Sequence, residues 1–82
     1  MKYIRKVDAV KLARGLKEIL REMYDDGLTG GFPIARFEEM IVEKYGVDLA
    51  DAEGVTEAVI NTGIVAWSMG SNHFVLSGVD HD

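Results

Sequence analysis

The chain has no cysteine, so no disulfide framework, no thiolate-ligated zinc and no thiol nucleophile can be drawn for it. Its stability must come from packing, alone or together with a partner, and the compartment that suits such a composition is the reducing cytoplasm. Proline occurs once, at Pro33, and there is no biased tract or internal repeat, which excludes collagen-like, linker and solenoid readings. No stretch approaches the roughly 18 uninterrupted apolar residues that cross a bilayer. The most apolar window, 55–67, is interrupted by Glu57, Asn61 and Thr62, so no membrane partner is expected. The opening Met1-Lys2-Tyr3-Ile4-Arg5-Lys6 runs into charged amphipathic sequence, unlike the apolar core and small-residue cleavage site of a secretory signal. Basic side chains are also missing from almost half the chain, since no Lys or Arg follows Lys44.

What is present fits one globular domain. Eighty-two residues leave no room for a second core, and 48% hydrophobic against 28% charged residues is the balance of a folded chain. A single domain over 1–82 is expected, with 1–7 and 78–82 as flexible ends. The net charge of −5 is unevenly placed. Residues 1–40 carry eight Lys/Arg against seven Asp/Glu, a sum of +1, whereas residues 41–82 carry Lys44 against seven acids, a sum of −6. Asymmetry of this size bears on partners rather than on fold.

Apolar spacing predicts a first helix over 8–26, with Asp8 as N-cap and Gly27 as the glycine beyond its end. At 100° per residue Ala9, Leu12, Leu16, Ile19, Leu20 and Met23 fall in one arc, and Arg14, Lys17 and Arg21 lie opposite. Residues 27–31 read as a loop and Phe32-Pro33-Ile34 as a very short extended segment, because the residue before proline is pushed out of the helical region. A second helix over 35–45 turns Phe37, Met40, Ile41 and Tyr45 to one side and stops at Gly46. Asp48 or Asp51 caps a third helix reaching Asn61, with Val55, Ala58, Val59 and Ala52 inward and Glu53, Glu57 and Asn61 outward, and Gly63 stops it. Two β-rich runs, 64–68 and 73–77, flank Met69-Gly70-Ser71-Asn72 and read as a hairpin with a loop of about four residues. The expected core is Leu12, Leu16, Ile19, Phe37, Ile41, Val55, Val59 and one face of the hairpin.

Helix, short strand, helix, helix and hairpin is the element order of a winged helix, so the expected fold is α+β, a small winged helix-turn-helix. Within it, Phe32-Pro33-Ile34-Ala35-Arg36-Phe37-Glu38-Glu39 through Tyr45-Gly46 resembles the strand-to-helix entry of LOTUS (OST-HTH) domains, and Glu53-Gly54-Val55 looks like their glycine before the third helix. The resemblance spans about residues 30–76. It implies an interaction module for RNA or for a helicase, without catalysis of its own. An RNA contact carried over from the family would find no Lys or Arg in the matching third helix and hairpin.

Residues able to do chemistry are few. His73 and His81, the latter flanked by Asp80 and Asp82, are the metal-ligand candidates, but neighbours in an extended tail diverge and lack a shell to orient them, so no metal is expected. His73 near Ser68, Ser71 and Ser77 is the candidate for nucleophilic catalysis, without the strained elbow that exposes a reactive serine, and no enzyme is expected. Gly27, Gly30 and Gly31 precede a helix but lack the Lys-Ser/Thr or Gly-x-Gly-x-x-Gly spacing of phosphate loops, so no cofactor is expected. Trp67 is left open between core and surface, and an exposed Trp67 would be an anchor.

Charge decides between two function classes. Nucleic-acid binding needs cations facing phosphates and base edges, and the third helix offers Asp51, Glu53, Glu57 and Asn61 instead. The favoured reading is a non-enzymatic acidic module that meets a basic protein surface through Asp51, Glu53, Glu57, Asn61 and Trp67. Its sharper form is an inhibitor that mimics nucleic acid. The alternative is a nucleic-acid-binding regulator that uses the Arg14, Lys17 and Arg21 stripe of the first helix.

Overall fold

Four apolar positions spaced four, three and four apart, Ala9, Ala13, Leu16 and Leu20, bury one stripe of helix α1 (Lys6–Asp25). The computed structural model describes residues 6–28, 30–68 and 70–76. The helix begins two residues before the expected start, so Asp8 is not its N-cap. Asp8 lies in the first turn, where a carboxylate faces the positive end of the helix dipole. Gly27, at φ +85°, closes the other end as expected. Its N–H donates to the Tyr24 carbonyl at 3.0 Å and the Leu28 N–H to that of Met23 at 2.8 Å, the paired bonds of a Schellman turn.

The rest of the described chain runs β1 (Phe32–Pro33), α2 (Ile34–Tyr45), α3 (Leu49–Asn61), β2 (Val65–Ser68) and β3 (His73–Leu76). The strands form one antiparallel sheet in the order β1-β3-β2. The protein is therefore a small α+β fold of three helices and a three-stranded sheet.

Pro33, extended at φ −61° and ψ 129°, stands at the N-cap of α2, so strand passes into helix with no intervening loop. Gly31, at φ +92°, lies against β3 so closely that a Cβ would collide with the Phe74 carbonyl oxygen. Helix α2 buries Ile34, Phe37 and Ile41 and ends at left-handed Gly46, whose N–H donates to the Val42 carbonyl at 3.0 Å. Asp48 caps α3 by accepting the Asp51 N–H at 2.9 Å. At the far end the Thr62 hydroxyl donates to the Val59 carbonyl at 2.6 Å and accepts the Ile64 N–H at 3.2 Å, and Gly63 turns the chain into β2 at φ +74°. The hairpin pairs Val65 with Leu76 and Ser68 with His73, leaving the expected four-residue loop, of which Met69 lies outside the described residues.

The core gathers where α1, α2 and α3 meet the inner face of the sheet. Phe74 and Val59 are fully buried, and the Phe37 and Phe74 rings meet edge to face at 5.1 Å between centroids. Three expectations need correction. Ile19 is 36% exposed, because the buried stripe of Ala9, Ala13, Leu16 and Leu20 is narrow and leaves Ile19 roughly 90° around the axis from its centre. Met40 is 45% exposed, since Ile34 takes the inward place at the start of α2. Ala58 is only half-buried and Thr56 is buried in its stead. Of the expected flexible ends, Lys6 and Val7 belong to α1, and 1–5 and 78–82 lie outside the described residues.

Candidate protein-interaction groove

Helix α3 turns Ala52, Val55 and Val59 to the core, which leaves Glu53, Glu57 and Asn61 on an outward stripe of spacing four. The start of α2 and the hairpin border this face, and the Ile34 N–H donates to the Asn72 carbonyl at 3.2 Å. The three elements enclose a groove of about 510 Å³ lined by Glu38, Glu53, Glu57, Asn61 and Trp67. Four of the five contact residues expected from sequence therefore share one concavity. Asp51 does not line it, for it sits roughly 200° around the α3 axis from Glu53, in the turn that Asp48 caps.

Trp67 is resolved by sheet register. It pairs directly with Phe74, and residues directly opposite in an antiparallel ladder project to the same face, so Trp67 belongs to the inner face with Val65, Phe74 and Leu76. Phe74, on the central strand, is fully buried. Trp67, on the outer strand beside the hairpin loop, lies past the margin of the core and is 45% exposed into the groove. Ile34 and Ile60 supply further apolar wall.

Glu38 and Thr56 are polar groove residues that sequence reasoning missed, as it did Ile34, Ile60 and Asn72. Thr56 is 7% exposed, and its hydroxyl donates to Glu38 Oε2 at 2.8 Å across the α2–α3 contact. The bond satisfies a buried hydroxyl and fixes the direction of a half-buried carboxylate. A β-branched polar residue beside Val55 on a helix was the available signal, because Thr gains little in a helix unless its hydroxyl finds a partner. No Lys or Arg among the described residues lines the groove, so three carboxylates share it without a compensating cation.

The remaining candidates separate. Arg14 and Arg21 are exposed and Lys17 half-buried on α1, away from the groove. The Ser71 hydroxyl donates to Ser68 Oγ at 2.9 Å, whereas the His73 ring meets the Ser71 main-chain carbonyl through Nδ1 at 2.5 Å, so the contact joining His73 to Ser71 does not involve the hydroxyl. Ser77, Asp80, His81 and Asp82 lie outside the described residues. Among the described residues no group of three or more His, Asp or Glu could hold a metal ion, and no helix is long and apolar enough to cross a membrane. Of the three loop glycines, Gly31 is accounted for by its approach to β3. A second groove of about 480 Å³ lies between α1 and α2, with Ile19 and Met40 on its walls and Lys11 and Lys44 among its lining. No protein-family model, curated protein or solved structure matches the chain.

Proposed function

We propose that the protein is a non-enzymatic winged-helix interaction module that binds a protein partner bearing a basic surface, with α3 as the presented helix and the β2–β3 hairpin as the wing. The observation that carries this reading is the groove itself. An exposed tryptophan and three carboxylates converge there with no described cation in the lining, and all but Glu38 of these four come from residues 41–82, which hold a single Lys or Arg. Complementary charge speeds encounter with a basic surface and penalises acidic competitors, and an aromatic residue in a concavity is the usual energetic centre of a protein contact. Phosphates would be repelled from the same place. The negative charge is concentrated in a concavity, which favours receiving a projecting side chain over displaying a convex, nucleic-acid-like array.

The test is affinity capture from the native host with wild-type protein and with the Glu53→Lys, Glu57→Lys double variant, each with and without nuclease. A partner that survives nuclease and is lost from the double variant supports the reading. A partner set held equally by both proteins, or one that vanishes with nuclease, removes it and leaves the Arg14, Lys17 and Arg21 stripe as the binding surface.

A further inference from the structure

We infer that the groove receives one arginine side chain of the partner, its guanidinium stacked on the Trp67 indole and paired with the carboxylates of Glu53 and Glu57. The inference rests on the groove being the contact surface and adds what enters it. Glu53 and Glu57 stand one helical turn apart on the exposed face of α3, where like charges repel, and no described cation of this chain lines the groove to relieve them. A cation from outside gains from both carboxylates at once.

The choice of arginine follows from what surrounds the carboxylates. Indole is the best aromatic partner for a cation, and the flat, weakly hydrated guanidinium can lie on a ring while its edge donates to carboxylates. A lysine ammonium is compact and strongly hydrated, and it holds its water more firmly in a groove that is half apolar wall. Glu38 adds a third acceptor. Thr56 occupies its Oε2, which fixes the carboxylate and leaves Oε1 for a ligand hydrogen bond. The volume of about 510 Å³ is within the range of roughly 300–1,000 Å³ common to small-ligand pockets, ample for one long side chain with the backbone beside it.

Trp67 is the only tryptophan in the chain, so its fluorescence reports directly on the groove. The probes are three tripeptides, acetylated and amidated at their ends, with glycine on either side of arginine, lysine or citrulline, the last being the neutral analogue of arginine. The expected result is a saturable change in Trp67 emission with the arginine peptide, binding roughly tenfold weaker for lysine, and no saturation for citrulline. The Glu53→Gln, Glu57→Gln double variant, altered only at exposed positions, should weaken the arginine peptide by roughly tenfold or more with an unchanged melting temperature. For Trp67→Leu, followed by backbone amide shifts in NMR, the preference for arginine over lysine should disappear. Equal binding of citrulline and arginine, equal binding of lysine and arginine, or no saturation by any peptide would each overturn the arginine anchor. If the peptides fail in this way while a nuclease-resistant partner is still lost from the Glu53→Lys, Glu57→Lys protein, the contact surface stands and only the anchor falls. If the arginine peptide binds as expected but both proteins capture the same partners, the selectivity of the groove for arginine stands, and the reading that a partner inserts one there falls.

Discussion

Thr56 and Glu38, eighteen positions apart in sequence, are joined by a hydrogen bond of 2.8 Å that ties α3 to α2 beneath the groove. Removing the hydroxyl leaves a half-buried carboxylate without its donor. Thr56→Val should cost about 1–3 kcal/mol, measured by urea unfolding, because bonds to charged groups lie at the upper end of hydrogen-bond contributions. Glu38→Gln keeps an acceptor for the same hydroxyl and should cost much less. Equal losses from the two variants would show that the charge, rather than the bond, is what Thr56 supports.

Leu16 and Ile19 lie on the same helix with opposite consequences. Leu16 is buried, and Leu16→Ala should cost roughly 2–5 kcal/mol and lower the melting temperature by about 10 °C or more in a domain of this size. Ile19→Ala, at a site already open to solvent, should cost about 1 kcal/mol or less. A thermal melt of each checks the placement of α1.

Two glycines give a similar contrast. A Cβ at Gly15 would meet nothing within 4 Å, so Gly15→Ala in the interior of α1 should stabilise the fold by about 1 kcal/mol. A Cβ at Gly31 would collide with the β3 backbone at a positive φ, so Gly31→Ala should destabilise by roughly 2 kcal/mol or more and uncouple β1 from β3. Denaturation midpoints of both variants provide the measurement.

The charge assignments are separable in one buffer series. Glu53→Lys with Glu57→Lys should increase attachment to a random-sequence duplex and steepen its salt dependence, while leaving the melting temperature close to wild type. Arg14→Ala with Lys17→Ala and Arg21→Ala should leave protein-partner binding in place. Loss of that binding from the α1 variant would transfer the contact surface from α3 to α1.

The element order was legible because its punctuation is chemical. Gly27, Gly46, Pro33 and Asp48 each do at a boundary what their backbone or side chain allows, and hydrophobic spacing filled in the helices between them. Packing partners were less legible. Ala13 is fully buried yet carries little hydrophobic weight in a periodicity, so the inward arc of α1 was drawn through Ile19. The groove was half legible: a spacing of four placed Glu53, Glu57 and Asn61 on one face, but nothing local to residues 34–45 brings Glu38 to them. Trp67 could not be placed from the alternation of β2, because its exposure depends on which strand lies at the edge of the sheet.

The strand order also governs how the protein comes into being. The central strand is β3, the last described element to leave the ribosome, and it brings the fully buried Phe74 against which Phe37 packs. Until it arrives, β1 has no neighbour to pair with, because Phe32 waits for a residue made more than forty positions later. The three helices are thus synthesised with their shared apolar surface uncovered, and pairing β1 with β3 closes a long loop, the kind of distant contact that slows folding. Until residue 74 emerges, the nascent chain lacks the side chain that fills the centre of this surface, and uncovered apolar surface is what aggregation acts on.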